Sequence, residues 1–287
     1  MKRDRPDPGV STIALLTDFG LQDVYVGVMK GVIARIAPRV RLIDLTHAVP
    51  AGDVRAGAFR LWQAVPHMPS GTVFLSVVDP GVGSPRRAVA VSAGGFTFVG
   101  PDNGLFTYVL TDRKVLRAVN IDPTRVGAEA PSATFHGRDI FAPAAARLAA
   151  GDGISDLGPD APELVRLPYP RLAVEPGFPA IRGEILCVDR FGNLVTSIGV
   201  LRRTGADIVL HPWVPTCEAM TLPATGMRVI LPGNAPLALA RTFADVSPGE
   251  PIGYIGSDGL LEIGVNGGIA ASLFRAAPGA EVVLRSP

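Results

Sequence analysis

An aspartate and an arginine lie seven residues apart in the loop VVDPGVGSPRR, and a histidine lies in TFHGRD. Two glycines and two prolines between Asp79 and Arg86 allow the loop to bring the two charges together. A histidine titrates near neutrality, so His136 beside such a pair predicts a site that orients water and moves its proton. The structural alternatives are a loop-stabilising ion pair and a histidine that caps a helix.

Two carboxylates lie in the motif TDFGLQD, where Asp18 follows an apolar run and Asp23 begins the next amphipathic run. One carboxylate can accept hydrogen bonds from both vicinal hydroxyls of a ribose, which makes Asp18 a candidate sugar ligand. Asp23 is alternatively a helix cap. His47, in DLTHAVPAGD, is interpreted as a structural hydrogen-bonding residue.

The second half of the chain offers a carboxylate, an aromatic ring and an amide within five residues of VDRFGNLVTSI. Asp189, Phe191 and Asn193 therefore form a candidate site for a base, with an ordinary hairpin turn as the alternative. In YIGSDGLLEIGVNGG, glycines permit backbone amides to approach a flat ligand edge. The candidates there are Ser257, Asn266 and Gly267.

These loops interrupt a regular alternation of elements in the first half of the chain. The apolar runs STIALLT, RLIDLT and TVFLSVV alternate with the amphipathic runs DVYVGVMKGVIARI and DVRAGAFRLWQAV. This pattern predicts an α/β N-terminal domain with a mostly parallel central sheet that is covered on both faces. The candidate loops then lie beyond the carboxyl ends of the strands, where ligands bind in such sheets.

A proline-rich stretch separates this part from the rest. Residues 157–180 hold six prolines and no helical periodicity. After it come short runs such as GEILCVD, LLEIGV and AEVVLR, bounded by Gly, Pro, Asn and Asp. We predict an N-terminal α/β domain over 10–160, a linker over 161–180, and a smaller all-β, barrel-like C-terminal domain over 181–287.

The composition of the chain indicates which kinds of binding partner to expect. The chain has 287 residues, 27 Lys and Arg against 26 Asp and Glu, so no net field favours nucleic acid or an anionic membrane. Cys187 and Cys217 lack CxxC spacing, which gives no zinc or disulfide framework. The polar start MKRDRPDPG has no apolar signal core. We expect a cytoplasmic protein with a small-molecule substrate.

Taken in order, the motifs TDFG, VVDPGVGSPRR, VGPDNGLF, TFHGRD, DRFGN and GSDGLLEIGVNGG resemble those of the S-adenosyl-L-methionine (SAM) hydroxide adenosyltransferases, which are relatives of the bacterial fluorinase and chlorinase. The resemblance spans roughly residues 12–274 and covers both predicted domains. It implies hydrolysis of SAM at the ribose C5′ to adenosine and methionine, with no metal and no cofactor beside the substrate. It also implies a homotrimer whose active sites lie at subunit interfaces.

The resemblance assigns roles to the candidate residues. Those that would hold the attacking water are Asp79, Arg86 and His136. Those that would bind substrate are Asp18, Asp23, Phe135, Asp189, Phe191, Asn193, Ser257, Asn266 and Gly267. Because Arg86 would hold Asp79 ionised, we expect His136 to accept the proton of the water and Asp79 to orient it. The fluorinase has a tyrosine where Asp79 stands, and a carboxylate repels halide, so hydrolysis is favoured.

Three positions depart from the fluorinase pattern. Gly52 stands where that enzyme has a sugar-packing tryptophan, and Asp258 and Val265 replace two of its arginines. Two other functions stay open on the residues alone. One is a non-catalytic SAM or adenosine sensor, and the other is a metal-dependent nucleoside or phosphate hydrolase. The oxygen and nitrogen ligands of that second alternative would come from Asp18, Asp23, Asp79, Asp102, His136 and Asp139.

Overall fold

The computed structural model describes residues 11–175 and 180–286. The chain forms two compact units that divide between Leu167 and Pro168, inside the predicted linker. The polar segment 1–9 and the linker residues 176–179 lie outside the described ranges.

The first unit is built on one six-stranded sheet. Its elements are β1 (Thr12–Thr17), α1 (Tyr25–Ile36), β2 (Arg41–Thr46), α2 (Val54–Ala64), β3 (Val73–Val77), β4 (Ala88–Ala93), β5 (Phe96–Pro101), β6 (Val115–Asn120) and α3 (Ala142–Ala150). The strand order is β2-β1-β3-β5-β4-β6. β2, β1, β3 and β5 pair in parallel, whereas β4 pairs antiparallel with β5 and with β6. The predicted mostly parallel sheet is confirmed.

Burial explains why the first unit folds in this way. All six residues of β1 are buried, so both faces of the central strand are covered, as its continuous apolar run predicts. α1 buries Val26, Met29 and Ile33, which are spaced so that they lie on one face of the helix, and Met29 and Ile33 pack in the core with residues of the sheet and α3. α3 is rich in alanine, and the small side chains allow it to approach the sheet closely.

The sequence did not indicate every strand of this unit. The hydrophobic pattern predicts no strand between residues 88 and 120, where the structure has β4, β5 and β6. The predicted linker also differs in character, because its first part packs on the first unit. The backbone amide of Val165 donates to Asp102 Oδ1 at 2.9 Å, and that of Leu167 donates to Thr107 Oγ1 at 2.8 Å.

The second unit consists mainly of antiparallel strands. They are β7 (Leu172–Val174), β8 (Ala180–Val188), β9 (Leu194–Thr196), β10 (Leu201–Thr204), β11 (Asp207–Leu210), β12 (Met220–Pro223), β13 (Arg228–Ile230), β14 (Leu237–Ala238), β15 (Pro251–Ile255), β16 (Leu261–Val265) and β17 (Glu281–Arg285), with a short helix α4 (Ala270–Phe274) before β17. The main sheet runs β14-β13-β17-β8-β9-β16-β15, with β7 beside β8. A bridge between Leu239 and Gly253 brings its two ends together. The predicted all-β, barrel-like unit is confirmed.

Two further observations concern the chain as a whole. Cys187 and Cys217 are both free thiols. Within the two described ranges, no helix combines the length and the apolar character needed to cross a membrane.

Candidate functional site

The site in the first unit lies where parallel strands end. Asp18 directly follows β1, Asp79 follows β3 after one residue, and Asp102 directly follows β5. β1, β3 and β5 are neighbours and run in the same direction, so their carboxyl ends meet at one edge of the sheet.

Asp79 and Arg86 form a two-point ion pair across their loop. Arg86 Nε donates to Asp79 Oδ1 at 2.9 Å, and Arg86 Nη2 donates to Asp79 Oδ2. The side chains are only 5% and 10% exposed. The guanidinium also lies over the ring of Phe141, 5.2 Å from its centre. An ion pair this buried costs desolvation energy that a surface loop does not require, which favours a function for it.

His136 joins this pair from another loop fifty residues away. Arg86 Nη2 lies 2.7 Å from His136 Nδ1. Partial burial and the adjacent positive charge of Arg86 hold the pKa of His136 below its ordinary value. His136 precedes a π-helical turn (Gly137–Phe141) and makes no side-chain capping bond, so the capping alternative does not apply.

The contact with Arg86 also fixes the tautomer of the histidine. A guanidinium is always protonated and can only donate, so His136 Nδ1 must accept. The proton of the neutral imidazole is then on Nε2, and that nitrogen is a donor. This geometry disfavours the expected role of His136 as the acceptor of the proton of water.

Close packing holds the two loops together. Gly83 adopts φ +79°, and a Cβ at this position would lie 2.6 Å from the carbonyl oxygen of Ala133. Only glycine allows this approach of the loop that carries Arg86 to the loop that carries His136. The π-helical turn after His136 belongs to a type of irregularity that is common at functional sites.

The loop after β1 (residues 18–24) is joined to the loop after β2 (residues 47–53) by hydrogen bonds. The backbone amide of Gly52 donates to Asp18 Oδ2 at 2.8 Å, which leaves Asp18 Oδ1 without a part in this contact. His47 is 4% exposed, with Nδ1 2.8 Å from Thr17 Oγ1 and Nε2 3.1 Å from Asp44 Oδ1. The position of His47 agrees with the structural role expected for it.

Phe135 is part of an aromatic cluster near the same loops. Its ring centre lies 5.2 Å from that of Tyr25 and 6.2 Å from that of Phe19, both edge-on. The guanidinium of Arg138 lies over the Phe135 ring, 5.1 Å from its centre. Asp23 is exposed and is not a cap, because α1 begins at Tyr25 without any side-chain capping bond.

Three of the carboxylates proposed as metal ligands pair with arginines: Asp79, Asp102 and Asp139. Arg87 donates to Asp102 through Nε at 2.9 Å. Arg138 donates to Asp139 at 2.6 and 2.9 Å, and these bonds hold the pKa of Asp139 below its usual range. Among the residues that the structure describes, no three His, Cys, Asp or Glu side chains group as metal ligands. These contacts give no support to the metal-site alternative.

The candidate residues of the second unit lie on turns. Asp189, Phe191 and Asn193 form the connection from β8 to β9, where Phe191 is 78% exposed and Asn193 is 7% exposed. Both oxygens of the Asp189 carboxylate accept hydrogen bonds from this same turn. The expected contact of Asp189 with methionine is therefore in competition with a role inside the turn.

The last three candidates lie on the turns that bound β16. Ser257 is exposed between β15 and β16, and Gly267 is exposed with φ +71° after β16. The Asn266 side chain donates to the carbonyl oxygen of Val246 at 2.8 Å. This bond commits part of the amide of Asn266 to the fold.

Two residues that the sequence did not single out lie against the candidates. Asn103 Nδ2 donates at 2.8 Å to the carbonyl oxygen of Val78, the residue before Asp79. In the second unit the ring of Phe243 lies against Gly264, next to Asn193. Asn103 stood in the motif VGPDNGLF without an assigned role, whereas no sequence pattern marked Phe243.

Comparison with known proteins covers both units. The profile of the SAM hydroxide adenosyltransferase N-terminal domain matches residues 13–158, and that of the C-terminal domain matches residues 183–283. A relative from Salinispora arenicola, named (R)-S-adenosyl-L-methionine hydrolase, is 44% identical over 93% of this chain and 95% of its own. A fluorinase from an Actinoplanes species is 29% identical over 91% of this chain and 93% of its own.

A solved structure supports the same assignment. The crystal structure of a conserved protein from Thermotoga maritima superposes with a TM-score of 0.81 at 35% identity, over 95% of this chain and 99% of that one. The partly buried contact among Asp79, Arg86 and His136 lies on the motifs that suggested the resemblance, and the family profiles match both units. The chain belongs to the SAM hydroxide adenosyltransferase family.

Proposed function

We infer that this protein is a hydrolase that cleaves S-adenosyl-L-methionine with water into adenosine and L-methionine. The observation that carries this function is the partly buried contact of Asp79 and His136 with Arg86, in a chain 44% identical to an (R)-S-adenosyl-L-methionine hydrolase. In that name "L" already describes the carbon centre, so "(R)" describes the sulfonium sulfur. We propose the (R)-sulfonium epimer as the preferred substrate.

The chemistry requires little help for the leaving group. Water attacks the ribose C5′, the C5′–sulfur bond breaks, and the bonding electrons convert the sulfonium to a neutral thioether. Methionine therefore leaves without protonation, and the one proton released comes from the attacking water. The protein must therefore orient a water molecule in line with the C5′–sulfur bond and accept the proton that this water releases.

We propose that Asp79 accepts this proton. Arg86 occupies one acceptor direction on each oxygen of the Asp79 carboxylate, and the remaining lone pairs are available to a water. His136, neutral and protonated on Nε2, would donate to the oxygen of the same water. Arg86 would stabilise negative charge as it develops on that oxygen.

The same charges favour water over halide. A desolvated halide beside the 5% exposed Asp79 carboxylate would meet repulsion, whereas water can donate to that carboxylate. By resemblance, Asp18 would hold the ribose and Phe135 would pack on the substrate. Asn193 and the backbone near Gly267 would bind the base, with Phe191 and Asn266 as further candidates from residue type. The residues that would contact methionine are Asp23, Asp189 and Ser257. Phe243 is an additional candidate for the base, because its ring lies beside Asn193 at Gly264.

We further propose a homotrimer with active sites at the subunit interfaces. Large apolar side chains are exposed near the candidate residues of each unit, which supports an interface there. They are Leu21, Val24 and Tyr25 in the first unit and Phe191, Ile269 and Leu273 in the second. The two free thiols are compatible with a reducing cytoplasm, our proposed location. Light scattering would give the mass of the assembly, and three times the chain mass of 29.9 kDa is expected.

The test of function is a product analysis with purified protein in EDTA. SAM containing both sulfonium epimers is incubated alone and with added chloride or fluoride, and the products are resolved by chromatography. We expect adenosine and methionine in every condition, with the (R) epimer consumed first. A 5′-halogenated adenosine would make the protein a halogenase, and intact SAM that co-purifies or binds without turnover would make it a sensor.

A further inference from the structure

The turn that connects β8 and β9 is organised by one carboxylate. Asp189 Oδ1 accepts from the backbone amides of Phe191 and Asn193, each at 2.8 Å. The backbone amide of Asp189 in turn donates to the carbonyl oxygen of Asn193 at 3.0 Å. A short side chain that accepts from amides two and four residues later is a common device for fixing a turn.

The second oxygen of the same carboxylate fixes the side chain of Asn193. Asn193 Nδ2 donates to Asp189 Oδ2 at 2.9 Å. A carboxylate can only accept, so the amide must present its NH₂ group to Asp189 and its oxygen to the opposite side. Asn193 is 7% exposed, so reversing the amide would leave two acceptors facing each other in a buried place.

The oxygen of Asn193 lies beside Gly264 and an aromatic ring. A Cβ at Gly264 would lie 2.7 Å from Asn193 Oδ1 and 2.6 Å from the ring of Phe243. The ring of Phe243 is itself held by Tyr254, with their centres 5.0 Å apart. A hydrogen-bond acceptor next to a ring suits a flat heterocycle that carries a donor at its edge.

We propose that Asp189 is a positioning residue that makes the site select a 6-aminopurine over a 6-oxopurine, because it fixes the orientation of the Asn193 amide. The proposal rests on the proposed function, in which Asn193 binds the base. The 6-amino group of adenine donates to Asn193 Oδ1, whereas the 6-oxo group of hypoxanthine would place a second acceptor against it. Sites built to pair with one polar group strongly reject an analogue that cannot pair.

The surroundings of Asp189 provide a matched control. Glu262 lies near enough for Asp189 to affect it, since burial first and then the charges of Asp189 and Asp258 raise the pKa of Glu262. Glu262 Oε2 accepts from Tyr254 Oη at 2.6 Å, a bond that a glutamine can also accept. Glu262→Gln therefore removes an acidic group from the same region and leaves the bond between Asp189 and Asn193 intact.

The experiment measures nucleoside binding to the full chain, which does not require turnover. Adenosine and inosine are titrated by calorimetry into the wild type, Asp189→Asn and Glu262→Gln. We expect the wild type to bind adenosine more tightly than inosine. Asp189→Asn should lower the ratio of the inosine dissociation constant to the adenosine dissociation constant about tenfold, the effect of one mispaired hydrogen bond. In Glu262→Gln the ratio should stay within about twofold. Asp189→Ser, which still offers an acceptor to the turn amides, replaces Asp189→Asn if that variant does not fold.

Several outcomes would overturn the proposal. An unchanged ratio in both Asp189 variants, or equal weakening of both nucleosides, would reduce Asp189 to a structural residue. L-Methionine is titrated into the same variants, and a changed affinity for methionine with an unchanged nucleoside ratio would support the methionine role that the resemblance implies for Asp189. If the wild type selects adenosine but does not hydrolyse SAM, only the proposed function fails. If the wild type binds neither nucleoside, both fail.

Discussion

Replacing Asp79 with asparagine is the sharpest test of the proposed chemistry. The substitution keeps the shape of the side chain and removes its charge. In the wild type, Arg86 donates to both carboxylate oxygens, and the two side chains are 10% and 5% exposed. The side-chain amide introduced by Asp79→Asn can accept only one of these two bonds, and its NH₂ group faces a donor of Arg86.

The structure sets the size of two separate effects. One mispaired buried donor lowers the free energy of unfolding by about 2 kcal/mol. Catalysis loses the group proposed to orient the water and accept its proton, and such groups contribute about 10²–10⁴-fold. We therefore expect kcat to fall at least about 100-fold, which corresponds to about 2.7 kcal/mol of transition-state stabilisation. KM should change by less than about threefold, because Asp79 contacts the water rather than SAM.

The assay follows adenosine formation across a range of SAM concentrations, with thermal unfolding measured on the same samples. Asp160→Asn is the control, since Arg117 Nε and Nη2 donate to Asp160 at 3.0 and 2.8 Å in a pair whose side chains are 47% and 67% exposed. That variant should lose less than about 1 kcal/mol of stability and no activity. A kcat within about threefold of the wild type, or an about tenfold higher KM with normal kcat, would refute the assignment of Asp79.

Three further predictions follow from the loops around this pair. The pKa of His136 is lowered, first by burial and then by the charge of Arg86, so the neutral form and turnover should persist as pH falls below about 6.5, and kcat should fall only near the lowered pKa. The unfolded chain takes up the proton near pH 6.5, so stability should decrease over the whole interval from about 6.5 down to the lowered pKa. An imidazole that titrates at or above about 6.5 by NMR would contradict this. Gly83→Ala places a Cβ 2.6 Å from the Ala133 carbonyl oxygen at φ +79°, so thermal unfolding should show a loss of at least about 1–2 kcal/mol and kcat should fall. Asn103→Ala removes the 2.8 Å bond to the carbonyl oxygen of the residue before Asp79, and kinetics should show kcat reduced about tenfold with KM unchanged; a change confined to KM would argue against a positioning role.

Most of the fold was predictable because its signals are local. The buried strands β1 and β3 and the helices α1 and α2 follow from hydrophobic spacing within each segment, and the short runs after residue 180 predict the strands of the second unit. β4 and β6 are different. β4 lies antiparallel between β5 and β6, and this order depends on pairing between distant segments rather than on any pattern inside them.

The candidate site was likewise predictable only in part from the sequence. Motif spacing was sufficient to nominate Asp79, Arg86 and His136, since glycine and proline allow a short loop to bring two charges together and family motifs mark all three. The pairing of Arg86 with His136, fifty residues apart, depends on packing between two loops. The acceptor role of His136 Nδ1 follows from that contact, and no sequence motif contains it.

The turn at Asp189 shows that the sequence also fails to predict hydrogen-bond partners within a single turn. Residue types alone suggested a carboxylate, a ring and an amide that all face a ligand. In the folded turn the carboxylate accepts three hydrogen bonds from Phe191 and Asn193, and it orients the amide instead. Residue type and spacing restrict which groups can meet, because they act within one segment. The direction in which a side chain points, its burial and its hydrogen-bond partners are decided by the assembled fold, since they depend on groups contributed by distant parts of the chain.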